Sequence, residues 1–422
     1  MHIIGDYKLT DVVLRQNSGG FGGGIKMYQS GVVELNNCLI DNNSASEGGG
    51  IWSAYSDTLK INNTIIRENS ASYKSGGIHL ENGKISFSDV KIINNTCGSN
   101  GGGGFRINGN STVVSSNKLI ISGNSSAIAS GIYFDFFSGS LSNATIINNT
   151  GGSAIYSNGS PSLLSSNIIN NSGGAWSSTS GSSQNCNFIN NASGVTDATA
   201  PNYVSFTNNY WGHSSGPYHS AQNPNGQGDS VSYFVNVDPW LTTPNTDAPP
   251  IPVQNNTLTG SGNDFISFSW DASELGDLAG YKLYFDTDSS GYPYDNTIDV
   301  GNVTSYSLSG LQLGTTYYLA VTTYDTDGNE SWYSNEIMGV TRVMQTQNLD
   351  IGFDFEDLLH LVTHDPLITF RYFDSMNEVQ TSYQVQVSTQ VNFSTIDMWD
   401  TGEVTSSDTS ITYSGEPLID GA

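Results

Sequence analysis

One short pattern returns along the first half of the chain: GGGIKMY (22–28), GGGIWSA (48–54), SGGIHLE (75–81), GGGFRIN (102–108), ASGIYFD (129–135) and GSAIYSN (152–158). Its key apolar residues are Ile25, Ile51, Ile78, Phe105, Ile132 and Ile155, separated by 26, 27, 27, 27 and 23 positions. Each copy is followed by a second unit rich in Asn, such as LNNCLIDNN, INNTIIRENS or LSNATIINN. A unit repeated at so short a period cannot bury its apolar face alone and must stack on its neighbours, which predicts a solenoid. No stretch has the 3.6-residue period of a helix, and the leucine-rich-repeat signature is absent. A parallel β-helix remains, with about three short strands per coil and coils about 4.8 Å apart.

The polar residues of the repeat have physical reasons too. Asn42/Asn43, Asn69, Asn94/Asn95, Asn124, Asn148/Asn149, Asn170/Asn171 and Asn190/Asn191 fall at one place per coil. Asn tolerates the left-handed backbone of a tight corner, and stacked Asn side chains can hydrogen-bond from coil to coil. The Gly triplets mark a second corner, where positive φ or close approach is needed.

Neighbouring residues of a strand face opposite ways. With Ile25 and its equivalents inward, the outward column reads Lys26, Trp52, His79, Arg106, Tyr133 and Tyr156. Two residues further along lie Tyr28, Ala54, Glu81, Asn108, Asp135 and Asn158. Aromatic faces with polar neighbours suit sugar rings, so Lys26, Trp52, His79, Arg106, Tyr133 and Tyr156 are the expected ligand-binding residues. His79, Glu81, Arg106 and Asp135 are the candidates for catalysis. Arg106 or His79 could abstract a proton α to a uronate carboxylate, and Glu81 with Asp135, two coils or about 10 Å apart, is a loose match to an inverting pair of carboxylates. Against both stands the ordinary reading, in which large polar and aromatic residues simply cover the outside of a sheet.

The GGGI and NN repeats resemble the right-handed parallel β-helix superfamily, the pectate-lyase-like fold, and are similar to those of bacterial polymorphic outer-membrane and adhesin-like proteins. Asn208-Asn209-Tyr210-Trp211-Gly212, Ser215-Gly216-Pro217 and Val237-Asp238-Pro239-Trp240-Leu241 resemble the closing segment of such β-helices and would cap residues 1–241. The resemblance implies a fold shared by adhesins, lyases and structural fibres. Its lyases pair a Lys or Arg base with clustered acidic metal ligands, and no tight Asp/Glu cluster occurs in this half.

Residues 242–256, TTPNTDAPPIPVQNN, read as a linker. Beyond them, residues 257–343 resemble a fibronectin type III module: Leu311, Gly314, Thr315, Tyr317 and Val321 fit its Leu-x-x-Gly-Thr-x-Tyr corner, with Tyr317 as the corner tyrosine and Trp270 as the core tryptophan. Residues 344–422 look like a second fibronectin- or immunoglobulin-like sandwich, incomplete because it stops before the family's corner tyrosine. The chain is therefore expected to be all-β, and to belong to a larger protein whose export signal or anchor lies elsewhere. Asp286, Asp288, Asp325 and Asp327 fall in strings similar to short calcium loops; calcium is the one cofactor considered, and the alternative is turn chemistry.

Charge separates the two halves. Residues 1–240 hold 10 Lys and Arg against 13 Asp and Glu, net -3; the remaining residues hold 3 against 26, net -23. So acidic a second half argues against nucleic acid and anionic membrane as partners. No run of about 18 apolar residues spans a membrane. Cys38, Cys97 and Cys186 are too few for a disulfide framework, and small buried filler is the expected role. The resulting expectation is a secreted or cell-surface bacterial protein that binds a polysaccharide or surface glycan without cleaving it, or serves as a scaffold. The alternative is a polysaccharide-degrading enzyme, a pectate-lyase-like lyase or a glycoside hydrolase with accessory modules.

Overall fold

A computed structural model of the chain describes residues 1–99, 101–178, 180–197, 203–287, 293–341, 344–351, 366–374, 379–388, 395–416. Among them there is no helix, and hence none long and apolar enough to cross a membrane.

The first half is a parallel β-solenoid. One sheet stacks His2–Ile3, Ile25–Tyr28, Ile51–Ala54, Ile78–Glu81 and Phe105–Asn108 in register, then the end of Ser125–Asp135, Thr150–Ser157, Trp176–Ser178 and Val195–Asp197. Ile25 pairs with Ile51, Ile51 with Ile78, Ile78 with Phe105, and Phe105 with Ile132, as the spacing requires. A second sheet stacks Tyr7–Thr10, Val32–Asn36, Thr58–Arg67, Lys84–Ile93, Thr112–Ser122, Ala144–Ile147, Asn167–Ile169 and Asn187–Ile189. Short strands Ser18–Phe21, Ser44–Glu47, Ser70–Lys74 and Thr96–Cys97 lie between the Asn corner and the Gly corner. The inward residues form one continuous core from Ile3 to Val237. Cys38, Cys97 and Cys186 are buried free thiols, and burial pushes the Cys186 thiol up to about 12, so it acts as apolar filler.

The paired asparagines divide the work. The first of each pair takes the left-handed turn: Asn42, Asn94, Asn148, Asn170 and Asn190 all have φ between 53 and 56°. The second points inward and bonds along the axis. Asn17, Asn43, Asn69, Asn95, Asn124, Asn149, Asn171 and Asn191 form a ladder in which each backbone N–H and each Nδ2 donates to Oδ1 of the next. The Gly corner works by close approach. A Cβ on Gly76 would sit 2.4 Å from the carbonyl oxygen of Thr96 on the next coil.

The segment read as a linker is held against the solenoid at its start. Asn187 Oδ1 accepts from the Asn245 backbone N–H at 2.8 Å, and Asn167 Nδ2 donates to the Pro249 carbonyl at 2.6 Å. Both asparagines are fully buried, so the segment satisfies amides that would otherwise be stranded. Its Pro- and Asn-rich composition reads as a linker and does not reveal these contacts, because the partner residues lie about 60 to 80 positions upstream.

Beyond it, Thr257–Ser261, Phe265–Ser269 and Ser305–Ser309 form one antiparallel sheet. Asn296–Gly301, Leu278–Asp286, Thr316–Asp325 and Ile337–Val340 form another. Trp270 is buried, and the Tyr317 hydroxyl accepts from the Gln312 N–H at 3.0 Å, the corner bond expected of it. Farther on, Leu367–Asp374 pairs with Met344–Ile351 and Ser410–Thr412.

Candidate functional site

The column expected to face outward points away from the solenoid core and is nevertheless mostly covered. His79 is 0% exposed, Arg106 5%, and Trp52 and Tyr133 8% each, while Lys26 and Tyr156 are half-buried. The cover comes from the short strands before the Gly corner. Phe21 lies with its ring 5.0 Å from that of Trp52. Glu47 places a carboxylate oxygen 3.2 Å from His79 Nδ1, and its other oxygen 3.4 Å from Lys74 Nζ. Over Tyr133 the chain passes as Gly101, with φ 72°, where a Cβ would sit 2.4 Å from the ring. Strand alternation correctly placed these residues on the outer side of the sheet; it could not show that a second layer folds over them.

Under this cover the charges are matched. Arg106 forms an ion pair with Asp135 and lies 4.4 Å from the centre of the Tyr133 ring. Asp135 also accepts from Asn158 Nδ2 at 3.0 Å. Burial pulls the His79 imidazole below its ordinary value, which favours the neutral ring at physiological pH. The His79 ring beside it, with Lys74, holds the Glu47 carboxyl below its ordinary value. Burial raises the Tyr133 phenol, and Asp135 adds to the effect. A general base must reach the proton it removes. His79 is sealed beneath Glu47, and the Arg106 guanidinium is committed to Asp135. Glu81, half-buried, stands two rungs from Asp135 through Asn108, in the predicted register. With Asp135 tied to Arg106 and Asn158, these two carboxylates do not form an open opposed pair. The geometry suits holding the sheet and its cover together.

The exposed chemistry lies beside this column, on rings the sequence reading did not select. Phe21, Tyr28 and Tyr55 are 44%, 43% and 53% exposed; Phe21 and Tyr28 flank Trp52, and Tyr55 extends the row from Tyr28. Tyr28 stacks on Trp52 at 6.2 Å and 18°, and meets Tyr55 edge-on at 6.1 Å. Lys26 Nζ lies 5.8 Å from the Phe21 ring and 6.0 Å from Trp52. Tyr55 also belongs to a corner column of Gln29, Tyr55, Asn82, Gly109 and Phe136, all at positive φ. Asn and Gly suit that backbone; a bulky aromatic there costs about 1–2 kcal/mol. Such strain is characteristic of sites kept for a purpose other than stability. The signal was present in the sequence as aromatics standing where other coils have Asn or Gly. Tyr55→Asn is expected to stabilise the solenoid by about 1 kcal/mol, read as a higher denaturation midpoint, because Asn accepts the left-handed corner.

Of the acidic candidates in the second half, Asp286 and Asp325 carry hydrogen bonds typical of turns. Asp325 accepts from the N–H groups of Asp327 and Asn329 and from Asn329 Nδ2. Asp286 accepts from the N–H groups of Thr287 and Asp295. Asp288 lies outside the described residues. Among the described residues no three His, Cys, Asp or Glu side chains are grouped to hold a metal.

Comparison with known families agrees with this architecture. Residues 6–124 match the right-handed beta helix region family. The solenoid is a right-handed β-helix. Residues 251–338 match the fibronectin type III domain, and residues 354–422 the Rha78A-like, N-terminal immunoglobulin domain. A right-handed β-helix joined to such domains fits a surface or extracellular protein with accessory modules. A Kelch domain-containing protein of Saccharolobus solfataricus is 32% identical over 83 residues, 20% of this chain; the chain spans only 11% of that relative's length. Among solved structures, the fibronectin type III domain of human fibronectin type III domain containing protein 3 is 23% identical, covering 22% of this chain and 87% of its own, with a TM-score of 0.20. The chicken CNTN1 FN1–FN3 domains are 18% identical, covering 22% of this chain and 32% of their own, also with a TM-score of 0.20.

Proposed function

We propose that this chain works outside a bacterial cell, secreted or at its surface, as a non-enzymatic glycan-binding platform. The row of exposed rings carries the reading: Phe21 and Tyr28 lie against Trp52, Tyr55 lies against Tyr28, and Lys26 is its cation. Flat aromatic faces held by a rigid sheet offer large contact area at little entropic cost, the character of a binding surface. Lys26 could meet an anionic substituent of the polymer. The pairing of Arg106 with Asp135 and of His79 with Glu47 removes the groups that a lyase or hydrolase would use, which favours binding over cleavage. The acidic modules that follow serve as spacers or further binding units.

The test mixes the full chain with a panel of acidic and neutral polysaccharides, with and without calcium, and follows polymer length and co-elution by size-exclusion chromatography. One polymer is expected to co-elute at unchanged length. Tyr28→Ala combined with Tyr55→Ala should weaken that binding tenfold or more, about 1.4 kcal/mol. Shortening of any polymer would overturn the non-enzymatic reading. Binding unaffected by the double variant would remove the ring cluster as its site.

A further inference from the structure

The Asn ladder has a direction. Every rung donates toward the C-terminal end, so its N–H groups need an acceptor where the coils stop. The ninth place is held by an acid: Asp229 Oδ2 accepts from Asn191 Nδ2 at 2.8 Å and from its backbone N–H at 3.2 Å. The chain around Asp229 is also what closes the solenoid. The Asp229 N–H donates to the Trp211 carbonyl, Gly194 N–H to Ser230, and Ser232 N–H to Val195, while Val204–Ser205 pairs with Val235–Asn236.

We propose that the junction between the asparagine ladder and the C-terminal cap is a pH-responsive latch, with the Asp229 carboxyl as its titrating group. The carboxyl faces Asn190 and Asn191 from the last Asn corner, with Gly194 and Trp211 beside it, and none of these titrates. Among the described residues no charged side chain acts on it. Burial pushes it up to about 6, against the Asn191 donors that pull it down. A carboxyl raised in the folded state contributes stability that is fully present below its unfolded value, ordinarily 3.8, and is lost as pH rises through about 6. Acid therefore tightens the latch. At neutral pH the ionised carboxylate keeps its hydrogen bonds while bearing the cost of burial, and the cap opens more often. The opening equilibrium is expected to rise by roughly one to two orders of magnitude between pH 4 and about pH 7 and to level off above.

Hydrogen exchange of the full chain, corrected for intrinsic rate and followed in peptides covering 228–237, reads this directly. The wild type should open progressively more up to about pH 6, and Asp229→Asn should remove most of that slope. A flat wild-type profile, or an unchanged slope in Asp229→Asn, would overturn the proposal. Should the variant not fold, the carboxyl carbon resonance of Asp229 in the wild-type chain decides: a midpoint near 6 supports the latch and one at or below 4 rejects it.

Discussion

Replacing Asn95 by alanine is expected to destabilise the β-helix by about 4 kcal/mol, with little change in the fold of the modules that follow. Asn95 Oδ1 accepts two hydrogen bonds from Asn69, through its backbone N–H at 2.9 Å and its Nδ2 at 3.0 Å. Its own Nδ2 donates to Ile66, Ile93 and Asn124. Asn69 and Asn95 are both fully buried, so no water can replace what is lost. Each stranded buried donor or acceptor costs about 1–3 kcal/mol, and at least the two Asn69 donors are stranded together. Asn17→Ala, at the exposed first rung, should cost less than about 1 kcal/mol, because solvent reaches its groups. Calorimetry of the full chain separates the β-helix transition from those of the other domains. Equal effects at Asn95 and Asn17 would show that the ladder contributes nothing beyond its corner geometry.

Arg106→Ala is expected to cost about 3–5 kcal/mol, the usual penalty for leaving one half of a buried ion pair unpaired. Both side chains are nearly inaccessible, at 6% for Arg106 and 11% for Asp135. Removing the guanidinium strands the Asp135 carboxylate and also takes away the cation over the Tyr133 ring. Arg106→Met combined with Asp135→Leu should recover most of the loss, since well-packed apolar residues replace a buried pair at little or no cost. The half-exposed Asn158 amide, which gives up its bond to Asp135, can turn to water. Denaturant titration of the single and double variants measures this. Glycan binding per folded molecule should be the same in all of them. A double variant that is stable but no longer binds would return Arg106 and Asp135 to the functional site.

Sequence by itself determined the coil. Ile25, Ile51, Ile78, Phe105, Ile132 and Ile155 recur at a nearly fixed spacing, and parallel stacking in register is the arrangement that buries them all; the structure pairs them as predicted. The same periodicity located the Asn corners, because a left-handed turn and an inward amide are local demands on one residue each. The corner tyrosine, Tyr317, was legible through the resemblance to the fibronectin type III corner, and its hydroxyl bonds five residues back along the chain.

Only the tertiary structure decided which outward residues meet solvent. Glu47 covers His79 from 32 positions upstream, and Phe21 packs on Trp52 from 31 positions upstream. Neither contact follows from strand alternation, which fixes the side of the sheet a residue faces and says nothing of what folds over it. The reach of Asn167 and Asn187 to residues 245–249 was hidden in the same way. So was the burial of Asp229 at the end of the ladder, because burial depends on chain that is distant in sequence and adjacent in space.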